Sequence, residues 1–125
     1  MSKILIVEDE PDVLQIFSDM LGQEKFEVIK AKNGAEGLEV ALELKPDLIL
    51  LDISMPVMDG IAMLKEIKIN DALKNIPVIV LTNYSDTQKI AEAMENGAYG
   101  YLIKINLKSD DLIKNVKSAL LKNNK

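Results

Sequence analysis

The sequence predicts an α/β domain in which helices cover both faces of a parallel β-sheet. Two observations support this prediction. Unbroken apolar runs of strand length alternate with longer stretches whose apolar residues have helical spacing. The 125 residues contain no linker, repeat or low-complexity tract, and their number fits one compact domain of common size. We therefore expect a single domain over residues 1–125.

Three strands are predicted by apolar runs that no polar residue interrupts. These runs are residues 4–7, 48–51 and 78–81. A strand buried on both faces has this composition because neither of its sides meets water. Two weaker candidates, at residues 27–31 and 100–104, complete a set of five. Since helical segments separate the strands, a parallel arrangement is expected.

A stretch of helical spacing follows each predicted strand. Apolar residues recur there every three or four positions, which places them on one face of a helix. Asn33 and Glu36 match a capping box, so the second helix is expected to begin beside them. The apolar faces consist of Val13, Leu14, Phe17 and Leu21; Ala35, Leu38, Ala41 and Leu42; Met63, Leu64 and Ile67; Ile90, Ala91 and Met94; and Leu112, Ile113, Val116, Ala119 and Leu120.

The composition excludes several classes of chemistry. Because the chain has no cysteine and no histidine, disulfides, thiolate or imidazole metal sites and a Ser-His-Asp triad are impossible. Fifteen basic and twenty acidic residues give a net charge of −5, which argues against direct binding to nucleic acid. No segment resembles a signal peptide or a membrane span, so we expect a cytoplasmic protein without a membrane partner.

Chemically useful side chains stand where the predicted strands end. Glu8 and Asp9 follow the first strand, Asp52 the third and Thr82 the fourth, while Lys104 ends the fifth. In a parallel sheet these ends lie along one edge, where ligands bind. An acid taken alone can simply cap a helix. Two carboxylates about 4 Å apart, however, repel by roughly 4 kcal/mol at an effective dielectric near 20, so a cation or a proton is expected between them.

The predicted cation is Mg²⁺. Without histidine or cysteine the ligands have to be oxygens, and carboxylates with carbonyl groups and water suit Mg²⁺. Beside a lysine and a threonine hydroxyl, such an ion favours phosphoryl transfer. An aspartate carboxylate is then the available nucleophile, since it can form an acyl phosphate. The residues alone leave both Asp52 and Asp9 as candidates for this role.

The sequence resembles the receiver domain of two-component response regulators over essentially its whole length. The resemblance rests on the segments KILIVEDE, PDLILLDISMPVMDG, PVIVLTN and GAYGYLIK. It implies a flavodoxin-like sheet of five parallel strands in the order 2-1-3-4-5 with five helices. It also implies that Asp52 accepts a phosphoryl group from the phosphohistidine of a sensor histidine kinase or phosphotransfer protein.

The resemblance further implies a role for each residue of the metal site. Asp9 and Asp52 would ligate Mg²⁺ together with the backbone carbonyl of Ser54, and Glu8 would act on the metal through water. The chain would catalyse only its own phosphorylation and a slow autodephosphorylation, so we do not expect an enzyme with a separate substrate.

A switch is implied as well. Lys104 would pair with the phosphoryl oxygens, and Thr82 would move to hydrogen-bond them. Tyr101 would turn inward into the space that Thr82 vacates. The surface of the fourth helix, fifth strand and fifth helix would then change and control a downstream effector protein, or form a phosphorylation-dependent homodimer.

Three residues depart from, or add to, the family pattern. Ile105 stands where the family usually has a cis proline after the lysine, and we expect a trans bond because a cis bond to isoleucine costs roughly 3 kcal/mol. Asn83 replaces a small residue and is expected to narrow the approach to Asp52. Tyr84 is expected to screen the acyl phosphate from water and so to prolong its lifetime.

Three alternatives remain open. The chain can be a degenerate receiver that binds partners without phosphorylation, which Ile105 and Asn83 favour. A flavin-binding electron carrier shares the fold, but the acidic segment EDEPD would repel the flavin phosphate. A phosphatase with an aspartyl intermediate would ordinarily have a second acid where Ser54 stands.

Overall fold

The computed structural model describes residues 2–55, 58–83, 87–105 and 107–123. Within them five strands alternate with five helices, and the predicted α/β class is confirmed. The strands are β1 (Lys3–Val7), β2 (Glu27–Ala31), β3 (Leu48–Asp52), β4 (Val78–Thr82) and β5 (Gly100–Ile103). The helices are α1 (Pro11–Gln23), α2 (Gly34–Leu44), α3 (Gly60–Ile69), α4 (Thr87–Glu95) and α5 (Ser109–Asn123).

All five strands run parallel in the order β2-β1-β3-β4-β5, which is the order that the resemblance implied. Val7 at the end of β1 lies beside Leu51, and Asp52 at the end of β3 lies beside Leu81. The residue that follows Val7 therefore stands level with Asp52. Because the chain turns to one side after β1 and to the other after β3, this edge is the switch point of the sheet.

The core consists of one apolar layer on each face of the sheet. Alternate side chains of a strand point to opposite faces, so neighbouring residues enter different layers. Ile6 packs with side chains of α1 and α5, whereas Val7 packs with side chains of α2, α3 and α4. Full burial of each such side chain contributes roughly 1.5–3 kcal/mol. In the described part of the chain, no helix combines the length and apolarity that a membrane crossing requires.

Two strands continue one residue beyond the apolar runs that predicted them. β3 includes Asp52 and β4 includes Thr82. β5 instead ends at Ile103, so Lys104, predicted as the last strand residue, begins the next loop. The N–H of Lys104 still donates to the carbonyl of Thr82 at 2.9 Å. Backbone hydrogen bonds rather than hydropathy define a strand end, which explains both shifts.

Polar side chains fix the starts of α2 and α3. The N–H of Glu36 donates to Asn33 Oδ1 at 2.8 Å, which confirms the predicted cap. The Glu36 carboxylate accepts from the N–H of Lys32 at 3.2 Å, one residue before the cap. Asp59 caps α3 by accepting from the N–H of Ala62 at 2.9 Å. Both caps hold helix starts that face the carboxyl ends of the strands.

Candidate functional site

Three acidic side chains meet at the switch point of the sheet. Glu8 directly follows β1, and its N–H donates to the carbonyl of Ala31 at 3.1 Å, so the residue is held against β2. Asp52 is the last residue of β3. Glu8 is fully buried, Asp52 is 2% exposed and Asp9 is half-buried. One carboxylate oxygen of each lies within 4.8 Å of the others. The predicted acidic cluster is therefore present.

Backbone N–H groups orient two of these carboxylates. The N–H of Ser54 donates to Asp52 Oδ1 at 3.1 Å, and the N–H of Glu10 donates to Glu8 Oε2 at 3.1 Å. Each bond spans two residues, so the segment that follows each strand sets the direction of the acid at its end. These bonds stabilise the ionised carboxylates and preorganise their remaining oxygens.

Lys104 brings one positive charge into the cluster. Its Nζ donates to Glu8 Oε1 at 2.9 Å and lies 3.4 Å from Asp52 Oδ2. The Lys104 side chain is only 13% exposed. The backbone bond to Thr82 fixes the point from which this side chain reaches the two acids. One ammonium group thus faces two buried carboxylates and offsets only part of their charge.

Burial and the contacts with Lys104 have opposite effects on the pKa values of the two acids. Burial raises the pKa of Glu8 to about 7, although the hydrogen bond from Lys104 opposes the rise. Burial also raises the pKa of Asp52, against the opposing effects of the Ser54 N–H and Lys104. For Lys104, burial lowers the pKa, but the bond to Glu8 and the carboxylate charges outweigh it and raise the pKa. Burial is therefore the largest cause of the raised pKa of both carboxyl groups, and Lys104 offsets it only in part.

The donor set of the cluster suits a hard divalent cation. All three acidic residues offer carboxylate oxygens, and neither histidine nor cysteine occurs in the chain. Mg²⁺ commonly takes one or two carboxylates and completes its shell with carbonyl groups, water or phosphate. Ser54 is joined to Asp52 by its N–H, so its carbonyl belongs to the same short segment. The cluster can therefore hold Mg²⁺, whereas the individual ligand roles remain predictions.

The predicted switch residues lie on the neighbouring strands. Thr82 ends β4, is 1% exposed, and donates from Oγ1 to the carbonyl of Asn83 at 3.3 Å. Tyr101 pairs with Val80 in β5, and its side chain is 47% exposed. The structure thus brings Thr82 to the same edge as the acids and leaves Tyr101 farther back along the sheet. Their roles in switching remain predictions.

Two of the departures from the family pattern share one cavity. Asn83 and Ile105 both line a space of about 320 Å³ beside Lys104, together with apolar residues of α1. The Lys104–Ile105 bond is trans, as predicted. Tyr84 lies outside the described residues, so its predicted effect on the acyl phosphate stays a prediction. The expected effect of Asn83 on the approach to Asp52 also stays one.

The structure adds one contact that sequence reasoning missed. Lys104 was predicted to pair with phosphoryl oxygens, yet here its shortest contact is to Glu8. An acid placed directly after β1 and a lysine placed directly after β5 are the only sequence signals for this pair. They indicate that both residues lie at the same edge of the sheet. The spacing of apolar residues along the chain, however, does not show which partner a side chain in a loop reaches.

Comparisons with known proteins agree with the fold. Residues 4–117 match the family described as the response regulator receiver domain. Sporulation initiation phosphotransferase F of Bacillus subtilis (strain 168) is 37% identical over 102 residues, which cover 82% of this chain and 81% of that protein. A solved response regulator receiver domain protein from Clostridium thermocellum superposes with a TM-score of 0.91 at 30% identity, covering 99% of this chain and 98% of its own.

Some relatives are longer than the matched region. Transcriptional regulatory protein LnrK of Bacillus subtilis (strain 168) is 41% identical over 118 residues, which cover 93% of this chain but only 52% of that protein. The chain thus spans about half the length of that relative, 22% of regulatory protein AtoC of Escherichia coli (strain K12) and 81% of the phosphotransferase. With a family match over most of its residues, the chain belongs to the response regulator receiver domain family.

Proposed function

We propose that this chain is a phospho-acceptor switch in which Asp52 receives a phosphoryl group in an Mg²⁺-dependent reaction. The observation that carries the proposal is the buried Asp52 carboxylate, which two other acids and a single lysine surround. The donor is the phosphohistidine of a sensor kinase or phosphotransfer protein, and a downstream protein reads the result. The family membership supports this assignment.

The transfer forms one bond and breaks another. A carboxylate oxygen of Asp52 attacks phosphorus, and the phosphorus–nitrogen bond of the donor imidazole breaks as the imidazole leaves with the electron pair. The Ser54 N–H holds Asp52 Oδ1 in place during the attack. Asp9 and Asp52, with the Ser54 carbonyl, would hold Mg²⁺, and Glu8 would contact it through water. When bound, Mg²⁺ offsets charge on the transferring group.

Lys104 is positioned to change partners. Its Nζ lies 2.9 Å from Glu8 and 3.4 Å from Asp52, so a phosphoryl group on Asp52 would place new oxygens within a short movement of the ammonium. A dianionic phosphoryl group attracts the ammonium more strongly than a single carboxylate does. We expect Lys104 to leave Glu8 when Asp52 is phosphorylated.

Thr82 and Tyr101 carry the change outward. The bond from Thr82 Oγ1 to the Asn83 carbonyl is 3.3 Å long, and a charge-assisted bond to a phosphoryl oxygen would be stronger. Movement of Thr82 frees space at the end of β4, which Tyr101 enters from its half-exposed position. The surface of α4, β5 and α5 then differs between two packings, one of which the phosphoryl contacts favour.

Intact-mass measurement tests the assignment of Asp52. Wild-type protein incubated with a small acyl phosphate and Mg²⁺ should gain the mass of one phosphoryl group, and chelation of Mg²⁺ should prevent the gain. Asp52→Asn should show no gain, because the amide cannot form the acyl phosphate. Asp71→Asn is the control, since Asp71 is almost fully exposed and away from the cluster. Equal labelling of Asp52→Asn and wild type would refute the assignment.

A phosphorylation-independent interaction module is the second candidate. It is favoured by Asn83 and Ile105, which line the cavity beside Lys104 and differ from the family pattern. Fluoroberyllate with Mg²⁺ mimics the acyl phosphate and separates the two functions in an NMR experiment. A switch should show resonance shifts at Thr82 and Tyr101, whereas a module should show none.

A further inference from the structure

The connection between β3 and α3 rests directly on the N-terminus of α2. Gly34 is the first residue of α2, and it has no side chain between its backbone and Met58. A Cβ atom at position 34 would overlap the Met58 carbonyl oxygen, and it would lie 2.8 Å from Met58 Cβ and 3.0 Å from its carbonyl carbon. Because these are mainly backbone atoms, a side chain at position 34 would have to displace the connection itself.

The same connection is closed at its base by a second glycine. The N–H of Gly60 donates to the carbonyl of Ile53 at 3.3 Å. A Cβ atom at position 60 would overlap Ile53 Cα and would lie 2.5 Å from the Asp52 carbonyl oxygen. The described parts of this connection are therefore fixed at two points, by β3 at Ile53 and Gly60 and by α2 at Met58. Displacement of Met58 would strain the contact between Gly60 and Ile53.

Those first residues control the orientation of Asp52. The Ser54 N–H donates to Asp52 Oδ1, and Ser54 follows the pinned Ile53 directly. A push on Met58 would reach this N–H group through Asp59 and Gly60, because the Gly60 N–H donates to the carbonyl of Ile53, the residue before Ser54. We infer that Gly34 is a positioning residue, which seats the β3–α3 connection so that Asp52 and Ser54 have the geometry that Mg²⁺ binding requires. The inference rests on the proposed function.

Two other glycines separate this role from a general effect on folding. Gly37 lies one turn farther along α2, and a Cβ there would meet side-chain atoms instead, at 2.8 Å from Val7 Cγ2 and 3.0 Å from Met63 Cε. A Gly37→Ala change therefore strains the core beneath the same helix without pressing on the connection. Gly22 in α1 has no atom near the Cβ position, so Gly22→Ala should be harmless.

Calorimetric titration with Mg²⁺, together with the rate of labelling by a small acyl phosphate, tests the inference. Gly34→Ala should weaken Mg²⁺ binding about tenfold, as is typical for residues that orient metal ligands, and should slow labelling in parallel. Gly37→Ala should bind Mg²⁺ within about twofold of wild type even where its melting temperature falls as far as that of Gly34→Ala. Gly22→Ala should match wild type in both measurements.

Asn33→Ala provides a second variant that keeps the experiment decisive if Gly34→Ala does not fold. It removes the hydrogen bond that caps α2, so the helix start that contacts Met58 becomes less firmly held, and no side chain is added there. Mg²⁺ binding should therefore weaken by about threefold. Unchanged Mg²⁺ affinity in whichever of Gly34→Ala and Asn33→Ala folds, or an equal loss in Gly37→Ala, would overturn the inference. If wild-type protein itself bound no Mg²⁺, the proposed function would fail first.

Discussion

The site has two halves, which lie on strands that differ in burial. The acidic half consists of Glu8, Asp9 and Asp52, which lie at the ends of the central strands β1 and β3. The switch half consists of Thr82, Tyr101 and Lys104, which lie on or beside β4 and β5. Every residue of β3 is buried, whereas each residue of the edge strand β5 is partly or largely exposed. A movement of Tyr101 on β5 would therefore disturb less packing than a movement of Asp52 on β3, whereas Thr82 lies on β4, which is fully buried.

Under the proposed function, this difference would let the chain react at one half and respond at the other. The reacting groups need fixed geometry, and a strand held by a neighbour on each side provides it. Tyr101 would need an alternative position at low cost, and its edge strand, which has one neighbour, offers fewer contacts to break. Lys104 joins the halves, because it follows β5 but contacts Glu8 and Asp52. Perturbations of this joint should have the largest effects.

The largest effect is expected when the Lys104 ammonium group, which contacts both acids, is removed. In metal-free protein, Lys104→Met should lower the free energy of unfolding by roughly 3 kcal/mol at neutral to mildly alkaline pH, since it leaves two buried carboxylates without their ammonium partner. Lys117→Met is the matched control, because its ion pair with Glu24 is exposed and should contribute less than about 1 kcal/mol. Urea denaturation of both variants measures the difference.

The same two variants can also be compared in the presence of Mg²⁺. Saturating Mg²⁺ should stabilise both variants, since both keep the acidic cluster, but it should stabilise Lys104→Met more, because only that variant lacks a cation there; the difference between the two should therefore shrink. Equal stability of the two variants without metal would show that Lys104 does not hold the halves together.

The second prediction concerns pH and the acidic half alone. The pKa of Glu8 is about 7 in the folded protein, above its ordinary value of 4.5. A raised acid pKa stabilises the fold fully below the lower value, and that stabilisation is lost as the pH rises through the higher one. The free energy of unfolding of metal-free protein should therefore fall by up to about 3 kcal/mol between roughly pH 5 and pH 8.

Glu8→Gln isolates the source of that slope. The variant cannot ionise at position 8, so the contribution of Glu8 to the decrease should disappear, while Asp52, whose pKa is also raised, keeps a slope in the same direction. Glu24→Gln is the control, because Glu24 is a surface residue paired with Lys117. Parallel stability curves for wild type and Glu8→Gln would mean that Lys104 fully compensates Glu8.

The sequence predicted the acidic half better than the contacts around it. Uninterrupted apolar runs locate β1 and β3, and parallel pairing then forces Glu8 and Asp52 to one edge. The Lys104–Glu8 ion pair depends on a side chain that reaches back from a loop. The contact of Gly34 with Met58 depends on how closely two distant elements approach. Neither leaves a periodic signal, because both are set by tertiary packing.

The last prediction has the smallest effect and tests whether the halves are separate. Tyr101→Ala should change the free energy of unfolding by less than about 1 kcal/mol, because its side chain is 47% exposed. Tyr99→Ala should cost more, since Tyr99 packs on the layer of α1 and α5 and its hydroxyl lies 3.1 Å from Ser118 Oγ. Neither variant should alter Mg²⁺ affinity measured by calorimetry. A loss of Mg²⁺ binding in Tyr101→Ala would show that the edge strand helps to shape the acidic half, and the division into a fixed and a moving half would then be wrong.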